Sequence, residues 1–135
     1  MRVVIDTNVL LVIISPRSPF NWLWQALLAG SFELGVTTDI LDEYHEIITQ
    51  KMGISVAESV LDLLTELPNI HFIQKYFHWQ LIEIDPDDNK FADCAIAVSA
   101  DFLITHDNHF TILNQYPYFN IKLVSINEMK EYLKS

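Results

Sequence analysis

The run VVIDTNVLL, Val3 to Leu11, sets the carboxylate of Asp6 and the carboxamide of Asn8 inside a stretch that is otherwise apolar apart from Thr7. Asp107 stands in a similar relation to FLITH near the other end of the chain. In an open α/β sheet, ligands sit outside the carboxyl ends of the strands, so two acids that each leave an apolar strand are expected at one rim. Two helical segments offer further acids, and a turn of 100° per residue sorts them. In TTDILDEYHEIITQK, Ile40, Leu41, Tyr44, Ile47 and Ile48 share one arc, and Glu43 lies about 40° past its edge. Asp42 and Glu46 point to the opposite side, and Asp39 is explained by the helix dipole behind a Thr37 or Thr38 N-cap. In DPDDNKFADCAIAVSA, Phe91, Ala95 and Val98 mark the buried stripe, with Asp88 about 60° from Phe91 on that side. Asp93 falls on the polar side between Asn89 and Lys90, and Asp85, before Pro86, reads as a turn residue. Taken singly, Glu43 also reads as a boundary glutamate and Asp87 with Asp88 as an N-cap pair. Asp87 and Asp93 stay open as alternates to Asp88.

Asp6, Glu43, Asp88 and Asp107 thus converge from separate elements. Gathered carboxylates in a partly desolvated cleft repel one another and raise each other's pKa unless a cation offsets them. An all-oxygen donor set suits a hard divalent ion, Mg²⁺ or Mn²⁺, rather than zinc. Asn8, Thr7 and Thr105 are placed to orient Asp6 by hydrogen bonds. Such an ion activates water and stabilises charge on a transferring phosphoryl group.

The elements that must position these acids alternate along the chain. The runs RVVI, FELGV, NIHFI, DFLIT and IKLVS read as strands, with helical patterns in SPFNWLWQALLAG, in a long stretch reaching about Leu67, and in the segment after Asp85. Gly30 and Gly53 stand where helices can end, and Pro68 with Asn69 separates a helix from the third strand. That order predicts βαβ units: an α/β fold, a three-layer α/β/α sandwich around a mostly parallel sheet, built as one domain over residues 1–135.

Charge and composition limit the functions this scaffold can serve. The net charge of -10 gives no general attraction to nucleic acid or anionic lipid, and the eight Lys and Arg residues are scattered. No apolar run is long enough to span a bilayer, since Asp6, Asn8, Ser15 and Pro16 interrupt the most hydrophobic segment. With no basic leader or small-residue cleavage site at its start, the chain is expected in the cytoplasm. Cys94, the sole cysteine, permits no internal disulfide and reads as a small core residue.

VVIDTNVLL resembles the opening strand and first acid of PIN-domain ribonucleases, TTDILDEYHEII their second-acid helix, and DPDDNKFADCAIAVSADFLITHDNHF their third- and fourth-acid segments. The final IKLVSINEMKEYL resembles the family's last strand and helix. Within the family, the chain most resembles the prokaryotic toxins of toxin–antitoxin pairs. The resemblance implies a metal-dependent endoribonuclease whose first to fourth acids correspond to Asp6, Glu43, Asp88 and Asp107. It implies in-line attack on a phosphodiester by metal-activated water, leaving a 5′-phosphate and a 3′-hydroxyl. An antitoxin protein that blocks the cleft and a homodimer are implied in the same way. Lacking a basic stripe, the chain is expected to bind its RNA substrate weakly without metal or partner.

Other readings compete. A strand followed by DTNV is also similar to haloacid-dehalogenase-like phosphatases, but the second aspartate expected two residues on is here Asn8. A non-catalytic acidic interaction module fits the charge and leaves the inward-leaning acids unexplained. His106 and His109 beside Asp107 suggest zinc only faintly, since no second helical ligand pair accompanies them. Phe20, Leu23, Trp24 and Leu27 recur at helical spacing as core, and Trp22 falls off that stripe, where a dimer or partner surface would meet it. Tyr116, Tyr118 and Phe119 read first as a packed turn around Pro117 and second as a surface on which bases stack.

Overall fold

The computed structural model describes residues 1–134. Ser135, the last residue of the expected domain, lies outside the described residues. Strands β1 (Arg2–Ile5), β2 (Glu33–Thr37), β3 (Ile70–Ile73), β4 (Phe102–Ile104) and β5 (Lys122–Val124) form one parallel sheet in the order β3-β2-β1-β4-β5. Val3, Val4 and Ile5 of central β1 are all fully buried, so both faces of the sheet are covered, as the near-continuous apolar strand sequences require.

The helices are α1 (Thr7–Ile14), α2 (Asn21–Leu28), α3 (Thr38–Met52), α4 (Ile54–Glu66), α5 (Asn89–Ala97) and α6 (Ile126–Leu133). Two of them depart from the sequence reading. The residues after Asp6, to which the sequence reading assigns no element, start α1 at once, with Asp6 at its N-cap position. The expected long helix is two, because Gly53 adopts φ +95°, which stops α3 and lets α4 pack against it. The aliphatic, β-branched run hid α1, since a short apolar run carries no periodicity that separates strand from buried helix.

A second glycine is fixed by packing. A Cβ at Gly35 would stand 3.0 Å and 3.1 Å from the Val98 methyls, so its absence lets the end of α5 settle on β2. Cys94 lies fully buried in α5, and burial pushes its thiol up to about 12, which leaves it a small hydrophobe. Among the described residues no helix is long and apolar enough to cross a membrane.

Candidate active site

The strand order reverses between β1 and β4, where β1 leads outward to β2 and β3 on one side and β5 follows β4 on the other. The crevice beyond the carboxyl ends of β1 and β4 is therefore the topological switch point. The Asp6 N–H extends the ladder by donating to the Ile104 carbonyl at 3.1 Å, which sets Asp6 beside Thr105. There the Thr105 hydroxyl donates to Asp6 Oδ2 at 2.9 Å and accepts the Asp107 N–H at 2.9 Å. One hydroxyl thereby spaces the first acid from the fourth.

A row of buried aromatic rings beneath the rim fixes the elements that carry the other acids. Tyr44 and Phe91 lie with centroids 6.4 Å apart, and Phe91 meets Phe110 edge-on at 6.4 Å. Each ring is fully or almost fully buried, and each follows a candidate acid within three residues: Glu43, Asp88 and Asp107. The Tyr44 hydroxyl also donates to the Ile5 carbonyl, tying α3 to the residue before Asp6. Core packing thus sets the spacing of the rim.

Asp6 is 5% exposed, and burial raises its pKa; the Thr105 hydroxyl opposes the rise, Asp107 adds to it, and the Asn8 and Thr7 N–H groups lower it. Asp88 closes a 3-10 turn (Pro86–Asp88) at the start of α5. Its carboxyl is pushed up to about 6, chiefly by burial against an opposing bond from His109, with Asp85, Asp6 and Asp107 raising it further. His109 Nδ1 lies 3.0 Å from Asp88 Oδ2 and 3.2 Å from Asp107 Oδ1, and the His109 backbone N–H donates to Asp107 Oδ1 at 2.9 Å. Its pKa is raised, first by the bond to Asp88.

Glu43 is held differently. Lys90 Nζ sits 2.7 Å from Glu43 Oε1, and the Thr7 hydroxyl donates to Glu43 Oε2. Thr7 was expected to orient Asp6; because it opens α1, its side chain faces α3 instead. Asn8 is exposed, and it reaches Asp6 through its backbone N–H. Lys90, which helical phase assigned to the polar side, is the cation of the rim, and only its i+2 spacing from Asp88 hinted at that.

The alternates separate clearly. Asp87 is exposed, whereas Asp93 is 3% exposed rather than on a polar face. The irregular segment 74–85 folds over α5 and covers it: the Trp79 N–H donates to Asp93 Oδ1 at 3.0 Å, and His78 lies 3.9 Å away. Burial raises the Asp93 pKa against those two partners. Asn89 clamps the same segment through both the N–H and the carbonyl of Ile82. Asp85 caps the Pro86 turn as expected, yet it also stands with Asp88 and His109, their donor atoms all within 4.8 Å of one another. Asp6 and Asp107 lie outside that trio, and a cleft of about 370 Å³ opens between Asp6, Asn8, His106, Asp107 and His109.

A sequence model of the PIN domain matches residues 2–109. The chain is similar to a chain of VapBC-1 from nontypeable Haemophilus influenzae, 17% identical with a TM-score of 0.61 over 94% of this chain and 99% of that one. It is similar to a chain of VapBC2 from Rickettsia felis bound to a DNA fragment from their promoter, 19% identical with a TM-score of 0.59 over 93% and 98%. FitAB bound to an IR36 DNA fragment gives 15% identity and a TM-score of 0.58 over 92% and 94%. No curated protein matches. At these identities the solved structures speak for the fold, which they share across nearly the whole chain. The family match is independent of them and spans the whole acid rim, from β1 to His109: the chain belongs to the PIN domain family.

Proposed function

We propose that the chain is a metal-dependent endoribonuclease and the toxin of a toxin–antitoxin pair, acting in the cytoplasm as one domain over residues 1–135. One observation carries the reading: Asp6 and Asp107 line one cleft at the switch point together with His109, which bonds to Asp88, and burial first, with repulsion from Asp107 added, raises the carboxyls of Asp6 and Asp88. Carboxylates held in that arrangement lack a positive charge of matching size, and oxygen donors fit Mg²⁺ or Mn²⁺. Asp6, Asp88 and Asp107 would hold the ion, with Glu43 at its edge. Once bound, the ion supplies an activated water and charge stabilisation at the scissile phosphate.

The remaining residues hold and orient. Thr105 fixes the Asp6 carboxylate, His109 ties Asp88 to Asp107, and Lys90 neutralises Glu43 while bringing one cation to a rim that must accept a polyanion. Family membership supports the nuclease reading, and the solved VapBC and FitAB complexes support an antitoxin partner; a homodimer is proposed on the family resemblance alone. A groove of about 520 Å³ lined by Ile14, Trp24, Met52, Val56 and Leu63 offers such a partner an apolar seat, with Val56 38% and Leu63 41% exposed.

Purified protein incubated with a mixed RNA pool and Mn²⁺, with EDTA, and as the Asp6→Asn variant tests the proposal. The expected result is cleavage with Mn²⁺ alone, leaving 5′-phosphate ends. No cleavage under any condition, joined with no Mn²⁺ heat signal by calorimetry, would replace the nuclease with an acidic interaction module.

A further inference from the structure

An acidic chain without a basic stripe has to hold RNA by something other than its phosphates. Two short segments remote in sequence, 76–79 and 116–119, bring a set of aromatic rings together at the surface. Phe77 and Trp79 lie with centroids 4.7 Å apart, Trp79 meets Phe119 edge-on at 5.2 Å, and Phe119 has Tyr116 and Tyr118 each at 5.9 Å. Core packing accounts for Phe119 and leaves the other four unexplained. Tyr118 is 92% exposed, Phe77 67%, and Trp79 and Tyr116 40% each. The turn around Pro117, read from sequence first as packed, is a 3-10 turn (Pro117–Phe119) whose rings other than Phe119 face outward.

A groove of about 480 Å³ joins this ledge to the acid rim. Tyr116 and His109, the latter bonded to Asp88, both line it, together with Ile82, Ile84 and Asn108. Glu83 is the one carboxylate among its lining residues, so on a chain of net charge -10 the groove is a nearly neutral lane. Stacking on aromatic faces needs no positive charge and holds unpaired bases of any sequence.

We infer that the ledge of Phe77, Trp79, Tyr116, Tyr118 and Phe119 is a base-stacking subsite for single-stranded RNA, continuous through this groove with the acid rim. The inference rests on the nuclease reading for its substrate. An aromatic ledge also suits a protein partner; the nearly neutral groove reaching His109 favours RNA.

Fluorescence anisotropy in Ca²⁺ would compare a labelled short adenosine RNA with an abasic ribose–phosphate chain of equal length. The native protein should bind the adenosine RNA about tenfold more tightly than the abasic chain. The double variant Phe77→Ala with Tyr118→Ala, both exposed and checked for fold by circular dichroism, should lose about that factor for the adenosine RNA and nothing for the abasic chain. Trp79→Ala should act in the same direction. Equal binding of the two probes by native protein, or unchanged adenosine binding by the variants, overturns the subsite. Loss of self-association in light scattering with RNA binding intact would make the ledge a protein interface and also overturn it. Cleavage of the RNA pool in Mn²⁺ judges the nuclease reading separately: unaltered KM in the ledge variants sinks the subsite and leaves the nuclease standing. Base-selective binding without cleavage does the reverse.

Discussion

The two ends of the same sheet use the same residue types for opposite ends. At the amino end, the Arg2 guanidinium lies 3.2 Å from Glu33 Oε2 and donates to the Val98 carbonyl at 3.0 Å, while the Arg2 N–H donates to Asp101 at 2.9 Å. Each acid there has a partner, and the bonds stitch β1 to β2 and to the turn before β4. At the carboxyl end, Asp6 is buried and Asp88 half-buried, both with raised pKa values, Asp107 adds to both, and one half-exposed histidine spans Asp88 and Asp107. Folding gains nothing from assembling like charges, so the cation proposed above would relieve a repulsion that the fold alone leaves in place.

The largest expected effect contrasts acids from the two ends. Asp88→Asn and Asp107→Asn should each lower Mn²⁺-dependent cleavage on the order of a hundredfold or more, whereas Glu33→Gln and Asp101→Asn should stay within about twofold. Single-turnover rates on one RNA would measure this, and a hundredfold loss from Asp101→Asn would erase the contrast. Next in size is stabilisation by metal. At about a hundredfold excess over Kd, Mn²⁺ should add about 2.7 kcal/mol, seen as a rise of several degrees in Tm. Asp101→Asn should keep that rise and Asp6→Asn should lose it.

How much of this was legible in the sequence differs between the two ends. Strand runs, the burial of Tyr44 and Phe91, and the half-buried setting of Glu43 between exposed Asp42 and Glu46 all follow from periodicity, which records whether a side chain faces the core. The parallel sheet follows from the alternation of elements. Periodicity says nothing about which polar groups meet. The Lys90 bond to Glu43, the diversion of Thr7, and the clamp of Arg2 on Val98 join residues 36 to 96 positions apart. Asp93 shows the same limit from the other side, since an irregular segment with no period of its own covers it. Strand ends and helical phase single out the four acids, and resemblance to a known family adds their order as first to fourth acid.

A smaller effect follows from the Asp88 carboxyl, whose pKa near 6 exceeds its ordinary 3.8. The folded state then binds more protons than the unfolded chain between those values, so this group's contribution to stability falls as pH rises through that window. His109, its pKa raised by Asp88, acts with the same sign and loses its contribution as pH rises through its own titration. Without metal, Asp88→Asn should therefore be more stable than the native chain at neutral pH by about 1 kcal/mol, after allowance for solvent screening, and the gain should vanish near pH 4. Adding Mn²⁺ should reverse the ranking, because the ion and the proton compete for one carboxylate. Thermal melts of both proteins across that range test the sign; a native chain more stable than the variant at neutral pH without metal would show that Asp88 is already compensated.

The smallest expected effect comes from the amino end. Arg2 and Glu33 are 40% and 43% exposed, and a surface pair of that kind contributes about 0–1 kcal/mol. The bond to the Val98 carbonyl is part-buried and adds about 1 kcal/mol, because its loss leaves an acceptor at the end of α5 to water alone. Arg2→Met keeps the aliphatic stem over the strand edge and removes both bonds. It should lower the urea midpoint by the equivalent of about 1 kcal/mol with an unchanged m-value, and leave cleavage within about twofold. The reasoning depends on α5 carrying Asp88 at its start and Val98 at its end. A helix held by the buried contacts of Phe91 and by Val98 seated on Gly35 should not shift at its start when one bond at its end is lost. A tenfold fall in cleavage with stability unchanged would mean that Arg2 sets the position of Asp88 through the length of α5, making the amino-end clamp part of the site's alignment.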